Sequence, residues 1–214
     1  MNKIFLPLLF VVLAGQAWAQ PEGRRPGTDS SSRILLSNGW SLSPAGHGLP
    51  LGDLPLNIAV SASGRWLAVT NNGQSTQTLQ LIDAGAEKVV DSIVIRRSWL
   101  GLKFSGDDRY LYASGGNDNQ ILKYAIGTGD HRLKLADSFI LGKKWPEKIS
   151  PAGLDIDDKK NLLYVVTKEN NALYIVDLSS RAILQKLELG GEGYTCKLSS
   201  DRRALYVTCW GCDK

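Results

Sequence analysis

The forty residues at 151–190, PAGLDIDDKKNLLYVVTKENNALYIVDLSSRAILQKLELG, recur before and after themselves, and that recurrence constrains the fold more than any other feature of the chain. The unit holds four runs, Ala152 to Ile156, Leu162 to Thr167, Ala172 to Asp177 and Ile183 to Leu189. Each is rich in Val, Ile, Leu or Tyr and is bounded by polar breakers, a pattern that predicts four short strands joined by tight turns. Further copies run over Leu56 to Ile95 and Leu100 to Gly142, and a fourth begins at Tyr194. The equivalent positions Ser61, Ser105, Asp157 and Ser199 are separated by 44, 52 and 42 residues, the period of a four-stranded propeller blade at roughly 40 to 50 residues. The surplus in the middle spacing falls in a turn and in the Lys143 to Ser150 loop, where an array tolerates insertions.

The expectation is an all-β chain forming a partial β-propeller, with three full four-stranded blades and the start of a fourth. The blades are placed at about 54–97, 98–148, 149–190 and 191–214. A closed ring typically has four to eight blades, so this arc does not close by itself. A fragment of a larger propeller is the expected reading, with an open stack or a ring completed by oligomerisation as the alternative. Residues 34–53 hold one plausible strand, around Trp40 to Leu51. Pro44 and Pro50 confine it to an edge, and it is assigned the role of an N-terminal closing strand.

The wording of the repeat carries a resemblance. LYVVTKENNALYIVDLSSRAILQKLELG is similar to the repeat of the YVTN, YncE-like (lactonase-like) propellers. NGWSLSPAG, LGDLPLNIAVS, NNGQSTQ, ASGGNDN, SPAGL and TCWG resemble the N-terminal half of bacterial YncE-like propellers that often precede an alkaline-phosphatase-like phosphoesterase domain. The resemblance extends over nearly everything from Asn38 onward. It implies a propeller and a binding role, and it leaves the ligand open.

Ahead of the repeats, residues 1–19 read as a cleavable signal peptide. Lys3 stands in a short n-region, the apolar run is Ile4 to Leu13, and Ala17-Trp18-Ala19 precedes Gln20 as a small-x-small cleavage site. The run is shorter than the roughly 20 residues of a membrane span, so a periplasmic or secreted product beginning at Gln20 is expected. Residues 20–33 (QPEGRRPGTDSSSR) have almost no apolar surface to bury and are read as a disordered linker. The formal net charge of +4 becomes +3 once Lys3 is removed, too mild to argue by itself for nucleic acid.

Strands that run up and down sort their connections onto two faces. One face carries Ser61 to Gly64, Ser105 to Arg109, Asp157 to Asn161 and Ser199 to Arg203, ordinary turn chemistry. The other carries the amide-rich loops 71–76, 115–119, 168–171 and 210–214, with Ser98-Trp99, residues 143–148 and Glu192 to Tyr194 between blades. Trp99, Trp145 and Trp210 lie on this second face, where a hairpin does not need a large ring. Aromatic surfaces beside amides suit a polar ligand with an apolar side, although the same rings can wedge between blades. The candidate ligand residues at this channel rim are Gln74, Trp99, Asn117, Trp145, Lys168, Tyr194 and Trp210. Asn71, Asn117 and Asn171 also suit left-handed turn positions.

Cys196 and Cys209 would face each other across a hairpin with a four-residue loop from Asp201 to Ala204. An oxidising compartment permits a disulfide there, whereas a shift of register makes them diagonal neighbours, too distant to bridge. Cys209-Trp210-Gly211-Cys212 spells C-x-x-C, but it ends a strand instead of opening a helix, so neither a redox nor a haem role follows. His47 and His131 do not converge, no cluster has zinc spacing, and no nucleophile elbow or phosphate loop is present. No catalytic constellation, cofactor or metal site is predicted. The resemblance adds one enzymatic alternative, a lactonase-like hydrolase using a divalent cation on the rim, for which Asp118, Glu147 and Glu169 are the available carboxylates. A further alternative is single-stranded nucleic acid bound by Arg96, Arg97, Lys143, Lys144 and Lys148, with Trp99 and Trp145 stacking. The partner is otherwise an unspecified small molecule or protein.

Overall fold

The computed structural model describes residues 27–28, 33–43, 45–144 and 146–211. The signal peptide, most of the linker, Trp145, Cys212, Asp213 and Lys214 lie outside them. The chain divides into two compact units, residues 1–48 and 49–214.

In the first unit, β1 (Gly27–Thr28), β2 (Ile34–Leu35) and β3 (Ser41–Leu42) form an antiparallel sheet in the order β1-β2-β3. Among the described residues the segment around Trp40 to Leu51 forms a strand at Ser41–Leu42, which pairs with β2.

The second unit is three four-stranded antiparallel sheets and one two-stranded sheet, each built from consecutive strands. The first holds β4 (Pro55–Val60), β5 (Trp66–Asn71), β6 (Thr78–Asp83) and β7 (Lys88–Val94). The second holds β8 (Leu102–Phe104), β9 (Tyr110–Ser114), β10 (Gln120–Ile126) and β11 (Leu133–Ile140), and the third β12 (Pro151–Asp157), β13 (Leu162–Thr167), β14 (Ala172–Asp177) and β15 (Ile183–Glu188). Then β16 (Glu192–Leu198) pairs with β17 (Leu205–Trp210). The partial propeller of three blades and the start of a fourth is thus the fold observed. The helical structure among the described residues is one 3-10 turn, Gly116–Asp118, and no helix is long and apolar enough to cross a membrane.

Side chains alternate across each strand, so each sheet buries one set of residues against the blade before it and another against the blade after it. Ala68, Leu79 and Leu81 of the first sheet pack with Leu102, Phe104 and Leu111 of the second. Tyr112, Ile121 and Phe139 pack with Leu154, Ile156 and Leu163, and Tyr164, Val166 and Leu173 with Cys196. The core is a series of such junctions.

The turn face carries structural bonds, as its chemistry predicts. Ser61, Ser105 and Ser199 accept from the backbone N–H of Trp66, Tyr110 and Ala204 through their hydroxyls at 3.0 Å each. Neighbouring turns are also tied together. Asp108 accepts from the N–H groups of Ala62 and Ser63 at 2.7 and 3.0 Å, Asp158 from Gly106 at 2.8 Å, and Arg202 donates to Asp157 at 2.8 Å. His131 lies against Trp66 with centroids 5.0 Å apart and within 3.3 Å of Arg65 Nη2, a contact between the first two blades.

The Cys196–Cys209 bridge is not formed. The cross-strand partner of Cys196 is Val207, and that of Cys209 is Gly193. The turn is longer than expected, because Ser199 captures Ala204 and pairing starts at Leu198 and Leu205. The two cysteines therefore sit in the diagonal relation that a disulfide does not span without distortion.

Candidate functional site

The connection after β7 runs through Arg97, Ser98 and Trp99 and lies against two loops, one before β6 and one after β9. Asn72 reaches across to hold it, its Nδ2 donating to the Ser98 carbonyl at 2.6 Å and to Ser98 Oγ at 3.0 Å. The Gly116–Asp118 turn approaches from the other side. Gly116 has φ +47°, and a Cβ there would stand 2.1 Å from the Arg97 carbonyl oxygen. Only glycine combines this backbone conformation with so close an approach.

These segments, with Ser150 and the Lys168-Glu169 loop of the third blade, enclose a cleft of about 360 Å³. Its lining comprises Gln77, Arg97, Ser98, Trp99, Gly116, Asn117, Ser150, Lys168 and Glu169. Trp99, Asn117 and Lys168, predicted from sequence to share one mouth, are brought together. Gln74 is exposed in its loop and does not line the cleft. Tyr194 and Trp210 stack on each other on the two-stranded sheet, centroids 5.5 Å apart and 17° between planes, and neither lines the cleft. Trp145 is not described.

The charges of the cleft are largely matched internally. Arg97 Nη1 lies 3.0 Å from Asp118 Oδ1. Lys168 Nζ lies 3.4 Å from Glu192 Oε1 and 5.5 Å from the centroid of the Trp99 ring, within the range of a cation–π contact. Gln77 Oε1 accepts from the Arg97 N–H and Asn117 Oδ1 from Ser150 Oγ, both at 2.9 Å. Both carbonyls being engaged, the two amides present their NH₂ groups as donors. An indole more than a third exposed completes the surface. The arrangement offers one flat apolar face, neutral hydrogen-bond donors and the exposed carboxylate of Glu169.

The lactonase-type carboxylates do not gather. Asp118 is held by Arg97, Glu147 Oε2 accepts from the Lys143 N–H at 2.6 Å, and Glu169 stands in the cleft. Among the described residues no group of three or more His, Cys, Asp or Glu is placed to hold a metal. Of the asparagines assigned to turns, Asn171 has φ +48° as expected, whereas Asn71 ends β5 and is buried, donating to Thr78 Oγ1 and Gln80 Oε1. The unpredicted asparagine is Asn119. It is fully buried in a left-handed conformation, donating to the Lys143 and Glu147 carbonyls at 2.6 and 2.7 Å and accepting from Ser150 N–H at 2.9 Å. It fixes the loop that borders the cleft.

A second polar centre was not anticipated. β4, β8, β12 and β16 come together, and their equivalent positions Lys103, Asp155 and Lys197 meet beside a cavity of about 260 Å³. Gly153 lines it too, where a Cβ would fall 2.4 Å from Thr195 Cα. Asp155 is buried and receives Lys103 Nζ at 2.7 Å, the Ile156 N–H at 2.9 Å and the Leu198 N–H at 2.8 Å, with Lys197 Nζ 3.8 Å away. Burial pushes its carboxyl up, but the Lys103 and backbone hydrogen bonds outweigh that and hold it below the ordinary carboxylate value. One carboxylate joins three blades. Charged residues alternating with apolar ones along three equivalent strands were the available signal.

No family model matches the chain, and no curated protein matches it. Solved structures do. A functionally unknown protein from Desulfotomaculum acetoxidans superposes with a TM-score of 0.62 at 15% identity, over 72% of this chain and 49% of its own. Hydrazine synthase from Kuenenia stuttgartiensis gives 0.58 at 16%, over 80% and 47%. The Cps50 (Swd1) β-propeller domain of Myceliophteria thermophila gives 0.59 at 19%, over 73% and 48%. The chain spans about half the length of each of these structures, and at such identities the likeness shows the fold alone: four-stranded antiparallel blades arranged as in a β-propeller.

Proposed function

We propose that this chain is an exported binding module, one arc of a larger YncE-like propeller, that takes an uncharged polar ligand with one flat apolar face in the rim cleft at Trp99. The observation that carries the reading is the pairing within the cleft: Arg97 with Asp118 and Lys168 with Glu192, beside two amides whose carbonyls are already engaged. A ligand that met these groups would not need to bring a charge, because an ionic group would have to compete with pairs already made. Indole surface beside amide donors suits a saccharide ring, whose C–H face lies on the aromatic plane while its oxygens accept hydrogen bonds. A cleft of about 360 Å³ stands at the small end of ligand sites, enough for one or two rings.

The test is calorimetric titration of the parent chain and of Trp99→Ala with neutral cello- and chito-oligosaccharides. Binding by the parent that falls at least about tenfold in the variant, with the β-sheet circular dichroism spectrum retained, supports the proposal. Binding of equal strength in the variant, or binding confined to anionic oligosaccharides, refutes it.

A further inference from the structure

The charged residues lining the Trp99 cleft are Arg97, Lys168 and Glu169. Arg97 is paired with Asp118 and Lys168 with Glu192, whereas the exposed carboxylate of Glu169 makes no hydrogen bond or ion pair among the described residues. The lining and its partners therefore hold two cations against three carboxylates, and the surplus negative charge sits on Glu169.

The turn that carries this carboxylate is tied down on both sides. The Lys168 N–H donates to the Ser150 carbonyl at 3.0 Å and the Glu169 N–H to the Ile149 carbonyl at 3.2 Å, and buried Asn119 accepts from the Ser150 N–H in turn. Beyond Glu169, Thr167 Oγ1 donates to Asn170 Oδ1 at 2.5 Å and Asn170 Nδ2 to the Tyr174 hydroxyl at 2.8 Å. A turn ordered in advance leaves a ligand little ordering to impose. The indole beside it attracts cations as well: Lys168 Nζ already stands 5.5 Å from the Trp99 ring centroid, and an ammonium is drawn to the face of an indole.

We infer that Glu169 selects among the saccharides of this cleft by charge, and that the preferred ligand is an amino sugar carrying a protonated primary amine. The ring lies on Trp99, the amide donors of Gln77 and Asn117 reach its oxygens, and its ammonium meets the Glu169 carboxylate. Such a group competes with neither of the pairs already made. The inference rests on the reading that a saccharide ring occupies the cleft. A neutral ring makes the same contacts except the one to Glu169 and binds more weakly, and a ring bearing a carboxylate or sulfate meets like charge. Because Glu169 is exposed, the preference for the amine over the neutral ring is modest, about three- to fivefold.

The experiment is calorimetric titration of the parent chain and of Glu169→Gln with chito-oligosaccharides of one length, N-acetylated and de-N-acetylated, at about pH 6 where the ligand amine is protonated. Circular dichroism confirms the folded sheet in the variant. The parent is expected to bind the de-N-acetylated form about three- to fivefold more tightly, with the preference reduced in about 0.5 M salt. Glu169→Gln is expected to bind the N-acetylated form as the parent does and to lose the preference. A parent that binds the N-acetylated form and prefers neither, a variant that keeps the preference, or a preference that salt does not reduce overturns the inference and leaves the Trp99 reading standing. Binding of neither form overturns it too, and the cello-oligosaccharide titration above then tells whether the Trp99 reading falls with it.

Discussion

Replacing Asp155 with alanine removes the one carboxylate shared by three blades. The side chain is 3% exposed and its strongest partner, Lys103 Nζ, is 2.7 Å away. Without the carboxylate, the Lys103 ammonium and the Leu198 N–H lose their acceptor inside the arc. Breaking a buried pair in this way costs about 3 to 5 kcal/mol. The Lys103 side chain is 31% exposed and regains some hydration, which places the expected loss near the lower bound, about 3 kcal/mol. For a unit the size of residues 49–214 that corresponds to a fall in Tm of about 6 to 12 °C. The folded-state carboxyl lies below its ordinary value of 3.8. Its charge-dependent stability is therefore fully present above that value and lost as the pH falls through the depressed one. Thermal unfolding followed by circular dichroism should show the full gap between parent and variant near pH 7 and a narrower gap below about pH 3. Arg181→Ala serves as the comparison. Its pair with Asp137 is 3.0 Å long, but the side chains are 58% and 30% exposed, so a loss under about 1 kcal/mol is expected. An Asp155→Ala variant that melts within about 2 °C of the parent, or a gap of equal width at both pH values, would refute this account of the inner strands.

Two further outcomes are expected. Burial pushes the Cys196 thiol up to about 12, so alkylation of the native chain near pH 8 should leave Cys196 unmodified, and denaturant without any reductant should expose it. Modification that needs reductant would restore the bridge rejected above. The export proposal predicts that the mature protein recovered from a secreting host begins at Gln20, and N-terminal sequencing that finds Met1 retained would exclude cleavage after Ala19.

Much of the blade was legible because its signals are local. Leu162 to Thr167 and Ala172 to Asp177 appear as β13 and β14 with the bounds their apolar runs predict, since alternation between turn residues is itself the strand signal. The cysteine register was not legible. It depended on which backbone N–H the Ser199 hydroxyl captures, and a change of two residues in turn length moves every cross-strand pair. The candidate site was legible only in part. Trp99, Asn117 and Lys168 converge, while Trp210 stacks on Tyr194 on the two-stranded sheet and stays outside the cleft. Gln77 escaped notice because nothing in its composition distinguishes a cleft wall from a solvated loop, and Arg97 was weighed only as a contact to nucleic acid.

By itself the sequence determined the period, the strands within it and the chemistry of the turns, all of which depend on residues within about ten of one another. Tertiary structure alone decided which equivalent positions meet. Lys103, Asp155 and Lys197 stand 52 and 42 residues apart, and only the approach of successive inner strands turns three separate charges into one buried centre. Ile58 and Val60 read like every other pair in the repeat, yet they are 58% and 62% exposed, because burial depends on what packs against a strand, which neither hydropathy nor spacing records.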